Sequence, residues 1–149
     1  MTQTVNPAPV APAAASAAPA IDIFTDFAVQ DEGVWHEYKG GVEFQIARWQ
    51  NPKFRRRLSY FNEKFRRVID GKGEAAEAKS AEIMATVMSE TILLGWKGNV
   101  ALQGEVLPYS TANAARLLAV PLFREWVATM ASDEHRYKVV QDEVDHENL

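Results

Sequence analysis

The stretch that decides the fold reads Gly33-Val34-Trp35-His36-Glu37-Tyr38, then Lys39-Gly40-Gly41, then Val42-Glu43-Phe44-Gln45-Ile46-Ala47-Arg48-Trp49, and after it Asn51-Pro52-Lys53-Phe54. Two apolar-rich runs around a glycine loop are the pattern of a β-hairpin. A loop over 39–41 pairs Tyr38 with Val42, His36 with Phe44 and Val34 with Ile46. That register gathers the apolar side chains on one face, and Gly41 supplies the positive φ such a loop needs. A shorter Gly-Gly loop would set Glu37 against Phe44, so the longer loop is preferred. His36 then reads as a packed side chain rather than a catalytic one. Beyond the hairpin, Asn51 is placed to cap a helix and Pro52 to open it.

Outward from there the pattern is helical. Phe54, Leu58, Phe61, Phe65 and Val68 fall at alternating spacings of 4 and 3. This predicts one amphipathic helix, ended by Gly71 and Gly73. A second helix is expected from about Glu74, with Glu74 and Glu77 in its first turn, where acids suit the helix dipole. Ile83, Met84, Val87, Met88, Thr91, Ile92 and Leu94 give it a broad apolar face, and Gly95 or Gly98 stops it, with Trp96 between them. Residues 97–109 read as a loop with short strands around Gln103-Gly104. Ser110 caps a short helix over 111–119, and Pro121 opens the last one. In that helix Phe123, Trp126, Val127, Met130, Tyr137, Val140 and Val144 keep a helical period, and the acidic residues 142–149 are expected to fray.

On the other side, Ile21, Ile23, Phe24 and Phe27 suit a short strand or lead-in segment. Residues 1–20 hold no charged side chain, and Pro7, Pro9, Pro12 and Pro19 break any helix their alanines could start. They read as a disordered or polyproline-like arm, and without a basic start they are not a signal peptide. The expected fold is α+β and mostly helical, an N-terminal β-hairpin packed on three to four α-helices. Residues 21–149 form a single domain behind the 1–20 arm.

Composition narrows the function classes. The chain has 149 residues, 47% of them hydrophobic, with a mean hydropathy of -0.24. That predicts a soluble globular domain. No apolar run approaches the roughly 18 residues of a spanning helix, so no membrane partner is expected. With no cysteine, disulfides, thiolate metal sites and cysteine nucleophiles are excluded. The net charge of -4 is mild, but its distribution is not. Residues 48–72 carry nine Lys or Arg against two acids, whereas the flanking segments are acidic.

No catalytic spacing emerges: the glycines match neither a P-loop nor a dinucleotide fingerprint, and no serine sits in a nucleophile elbow. Asp142 and His146 lie one helical turn apart, but two such ligands in an acidic end seldom make a metal site. Glu134 and His135 read as solvated. No catalytic residue, no metal and no cofactor is therefore expected, and the chain reads as a non-enzyme. The basic stretch of Lys53, Arg55, Arg56, Arg57, Lys64, Arg66 and Arg67 could face phosphates, carboxylates of a protein partner, or solvent. Because the rest of the chain is acidic, nucleic acid ranks behind a protein. The Phe54, Phe61 and Phe65 stripe reads first as core, and Met84, Met88 and Met130 suit either core or an adaptable apolar surface.

The order of several blocks resembles the tail assembly chaperones of long-tailed bacteriophages. These are Glu32-Gly33-Val34-Trp35 with its hairpin, Phe44-Gln45-Ile46-Ala47-Arg48, Asn51-Pro52-Lys53-Phe54 and Glu90-Thr91-Ile92-Leu93-Leu94-Gly95-Trp96. Leu107-Pro108-Tyr109-Ser110, Asn113-Ala114, Leu117-Leu118 and Phe123-Arg124-Glu125-Trp126-Val127 follow in the same order. The resemblance covers about residues 30 to 140, and the polar loop usual before Leu107 is replaced by Val100-Ala101-Leu102. It implies a non-enzymatic factor of the host cytoplasm that binds the tape measure protein, keeps it soluble, helps recruit tail tube subunits, and is absent from the mature virion. Self-association is left open. The expected partner-binding residues are Arg55, Arg56, Arg66, Arg67, Met84, Met88, Trp96 and Trp126. The alternatives are a structural tail or neck component retained in the virion, and a small nucleic-acid-binding regulator using residues 53–67.

Overall fold

A computed structural model describes residue 20, residues 22–23 and residues 31–133. The Ala/Pro arm (but for Ala20), the lead-in positions Ile21, Phe24 and Phe27, and the last helix's continuation through Tyr137, Val140 and Val144 lie outside the described residues. So do Glu134, His135, Asp142 and His146.

The hairpin forms in the expected register. Strand β1 (Val34–Glu37) runs antiparallel to β2 (Glu43–Ile46), with Val34 opposite Ile46 and His36 opposite Phe44. The Tyr38 amide donates to the Val42 carbonyl at 2.9 Å, and Gly40 and Gly41 both take positive φ at the turn. His36 is fully buried.

Asn51 caps α1 (Pro52–Lys64) as its sequence predicts, its Oδ1 accepting from the Phe54 amide at 3.0 Å with Pro52 in the first turn. The expected single helix is interrupted. Phe65 leaves helical geometry (φ -111°, ψ 23°), and a short α2 (Arg66–Ile69) follows. Only Phe54 of the apolar stripe is fully buried; Leu58, Phe61 and Phe65 pack against the core from its edge, and Val68 is 42% exposed. The break bears on Val68 alone: past Phe65 the 3–4 spacing no longer continues one helix.

The central helix α3 (Glu74–Thr91) buries Ile83, Ala85, Val87 and Met88 and ends earlier than its apolar pattern suggests. Leu93–Lys97 is not its last turn but strand β3, which pairs antiparallel with β2 and gives the sheet order β1-β2-β3. Gln45 faces Gly95 while Ile46 faces Leu93, so Leu94 is the extra residue of a bulge. Gly98 (φ +91°) lies against the hairpin tip; a Cβ there would sit 2.9 Å from the Gly41 carbonyl oxygen. A small hairpin follows, β4 (Ala101–Leu102) and β5 (Glu105–Val106), turned by Gln103 and Gly104, both at positive φ as such two-residue turns demand. Ser110 Oγ caps α4 (Thr111–Leu118) through the Asn113 amide, and Pro121 opens α5 (Pro121–Ala131).

Helices α1, α2 and α4 pack on α3, while α5 packs on α4 and β2. The core between sheet and helices holds Phe44, Ile46, Phe54, Met88, Ile92, Leu93, Leu118 and Val127. The fold is α+β and mostly helical, with five helices and five strands between Val34 and Ala131.

Candidate protein-interaction site

Two kinds of surface are available to a partner. The first is basic. Helix α1 has no acid in its first turn, where Lys53 and Arg55 stand with Arg56 directly after them, so its cations sit at the positive end of its dipole and gain nothing from it. Some of the cations are committed internally. Arg57 grips Glu90 of α3 with Nε at 2.6 Å and Nη2 at 3.3 Å, and lies over the Tyr60 and Phe61 rings. The hydrogen bond to Glu90 holds the Arg57 guanidinium above its ordinary pKa. Arg55 Nη1 donates to the Gln50 carbonyl at 3.0 Å, and Arg66 pairs with Glu63. Lys53, Arg56 and Arg67 are exposed or half-exposed and make no side-chain hydrogen bond or ion pair among the described residues. Because the chain turns at Phe65, Arg55 and Arg56 belong to α1 but Arg66 and Arg67 to α2.

The second surface is aromatic. Phe44 on β2 is its buried hub. Trp96 of β3 meets it at a ring-centroid distance of 6.1 Å, Phe123 of α5 at 5.2 Å and Trp126 of α5 at 5.7 Å, mostly edge to face. Tyr38 at the end of β1 closes on Trp126 at 5.1 Å, and Tyr109 closes on Trp96 at 5.1 Å. The Trp96 indole donates its Nε1–H to the Leu107 carbonyl at 3.1 Å, which fixes its orientation. The outer members Tyr38 and Tyr109 are 45% and 39% exposed, and Leu122, the residue before Phe123 on the first turn of α5, is 78% exposed.

Trp96 and Trp126 are thus brought to one cluster, whereas the arginines belong to other elements. Met84 is partly buried against the core. Met88 cannot meet a partner: it is fully buried in the centre of the core, because α3 turns that face toward the sheet. Tyr38, Tyr109, Phe123 and Leu122 are not among the candidate partner-binding residues drawn from the sequence. A signal existed for Leu122, an apolar residue off the helical stripe of Phe123, Trp126, Val127 and Met130. Tyr38 and Tyr109 join the cluster only through tertiary packing.

A third feature is a shallow alanine-lined groove of ≈ 470 Å³ between α3 and α4, with Ala78, Ala81, Ala85, Ala115 and Ala119 in its walls and Glu82, Arg116 and Arg124 at its rim. Arg116 also holds Glu105 of β5 at 2.7 Å, and this hydrogen bond, with the charge behind it, pulls the Glu105 carboxyl below its ordinary pKa. Among the described residues no group of three or more His, Cys, Asp or Glu could hold a metal ion, and no helix is long and apolar enough to cross a membrane.

The family model for the YdaY prophage protein matches residues 49–148. The chain belongs to the YdaY prophage protein family. Its origin is therefore a bacteriophage, as the resemblance drawn from its blocks also implied. The family match begins at Trp49 and takes in helices α1 to α5; the β1–β2 hairpin lies ahead of it. No curated protein and no solved structure matches the chain.

Proposed function

We propose that this phage-derived protein is a tail assembly chaperone, a non-enzymatic factor that binds the tape measure protein, keeps it soluble and helps bring tail tube subunits to it. It acts in the host cytoplasm and leaves before the particle is finished. The observation that carries this reading is the aromatic cluster. Rigid rings are seated on a buried hub, with Tyr38 and Tyr109 exposed at its edge, Trp126 half-buried between, and Leu122 exposed on the first turn of the same helix as Trp126. Aromatic anchors of this kind supply much of the energy of protein interfaces at low entropic cost. A tape measure protein presents long apolar helical stripes, which aggregate when left exposed. An amphipathic client helix laid on this edge buries that stripe, and the exposed Arg56 and Arg67 meet its carboxylates and set its direction.

The test is co-expression with the long helical tail protein encoded by the same phage. The client should move from the pellet to the soluble fraction and co-purify with this chain. Leu122→Asp combined with Trp126→Ala should abolish the rescue while circular dichroism stays native. Stoichiometric presence of the chain in purified virions by mass spectrometry would instead favour a retained tail or neck component.

A further inference from the structure

We propose that residues 134–149 of this same chain dock along the basic face of α1 and occupy it when no client is bound. The inference deepens the reading above, since it makes the client's arginine surface a regulated one, but the docking itself stands on geometry and charge.

Three observations carry it. Helix α5 ends beside the start of α1: the Trp49 amide donates to the Ala131 carbonyl at 2.9 Å, and the Trp49 ring packs on Phe54 of α1 at 4.7 Å. The chain therefore leaves α5 on the side of the molecule where α1 begins, and Lys53, Arg55 and Arg56 stand in and just after that helix's first turn. Those cations are incompletely answered, with no acid in the first turn of α1 and no partner for Lys53 or Arg56 among the described residues. The segment that leaves this point carries Glu134, Asp142, Glu143, Asp145 and Glu147 against Arg136 and Lys138, and its acids beyond Lys138 have no Lys or Arg among them. Its Tyr137, Val140 and Val144 keep a helical spacing that puts apolar side chains on one face.

Reach is not limiting. At about 1.5 Å per residue α1 is roughly 20 Å long, and residues 134–149 cover about 24 Å even when fully helical. Intramolecular supply makes such a contact effective although each exposed ion pair is weak. The docked segment imitates an acidic client helix, so client capture becomes an exchange of one acidic helix for another rather than the filling of a bare surface.

The absence of cysteine allows a clean test on the full chain. A nitroxide placed through Asn148→Cys should broaden backbone amide signals of α1. Broadening should recede when Arg55→Glu and Arg56→Glu are introduced, and again at high salt in the unaltered chain, because exposed charges are screened. Broadening confined to the α3–α4 groove, or α1 signals untouched by the label, would overturn the proposal. So would broadening seen only when labelled and unlabelled chains are mixed, which would assign the contact to a second copy. Client capture is not read in this experiment. If α1 signals broaden as expected but the tape measure protein is not captured at all, the chaperone reading fails and the docking stands; if it is captured and neutralising Asp142, Glu143, Asp145 and Glu147 leaves that capture unchanged, the chaperone reading stands and occupation of the client's surface by this segment is overturned.

Discussion

Asn51 joins three parts of the molecule with one side chain. Its Oδ1 caps α1 at the Phe54 amide, and its Nδ2 donates to the Arg48 carbonyl and, at 3.1 Å, to the Thr91 carbonyl at the end of α3. Losing a cap costs about 1 kcal/mol, and leaving a buried carbonyl unpaired costs roughly 1–3 kcal/mol more. Asn51→Ala should therefore lower the unfolding free energy by about 2–4 kcal/mol in urea titrations. The capping half was legible in Asn51-Pro52; the bond to Thr91 spans 40 residues and needed the fold. Two apolar residues make the matching contrast. Met88→Ala should cost about 2–5 kcal/mol, because it opens a cavity in the core. Leu122→Ala should change stability by less than about 0.5 kcal/mol yet weaken client binding. Both are read by denaturation and by pull-down of the client. Core and adaptable surface both stayed open for Met88 in the sequence, because periodicity gives the face of a helix but not what covers it.

At the scale of elements, the hairpin was legible down to its register, because alternation and turn glycines agree on one pairing. Strand β3 was not. Ile92-Leu93-Leu94 is a short apolar run that fits the end of a helix as well as a buried strand. What decides it is β2, whose second edge would otherwise stay unpaired. The break at Phe65 was equally hidden, since the apolar spacing runs on through it to Val68. The β4–β5 hairpin is tied to α4 by the Arg116–Glu105 pair. Because the folded chain holds the Glu105 carboxyl below its ordinary pKa, the pair contributes above the ordinary carboxylate range and is lost as pH falls through the depressed value. An NMR titration of that carboxyl should give a midpoint below that of glutamate in an unstructured peptide. Arg116→Gln should return it toward that value; an unchanged midpoint would remove the arginine as the cause.

At the scale of the whole molecule, the sequence showed a basic segment between acidic ones, and the structure turns it into a surface. Arg57 and Arg66 are spent on Glu90 and Glu63, while Arg56 and Arg67 have no side-chain partner among the described residues. The aromatic site was only half legible: Trp96 and Trp126 stood out, but their meeting at Phe44 is a product of β3 and α5 both packing on β2. Coupling the two surfaces predicts that client capture weakens with salt without vanishing, since apolar burial is not screened. The most direct measurement is the soluble fraction of the tape measure protein expressed with and without this chain. The account predicts a soluble, co-purifying complex that the Leu122→Asp, Trp126→Ala pair destroys. A client that stays insoluble beside the folded chain, or one rescued equally well by that variant, would contradict it.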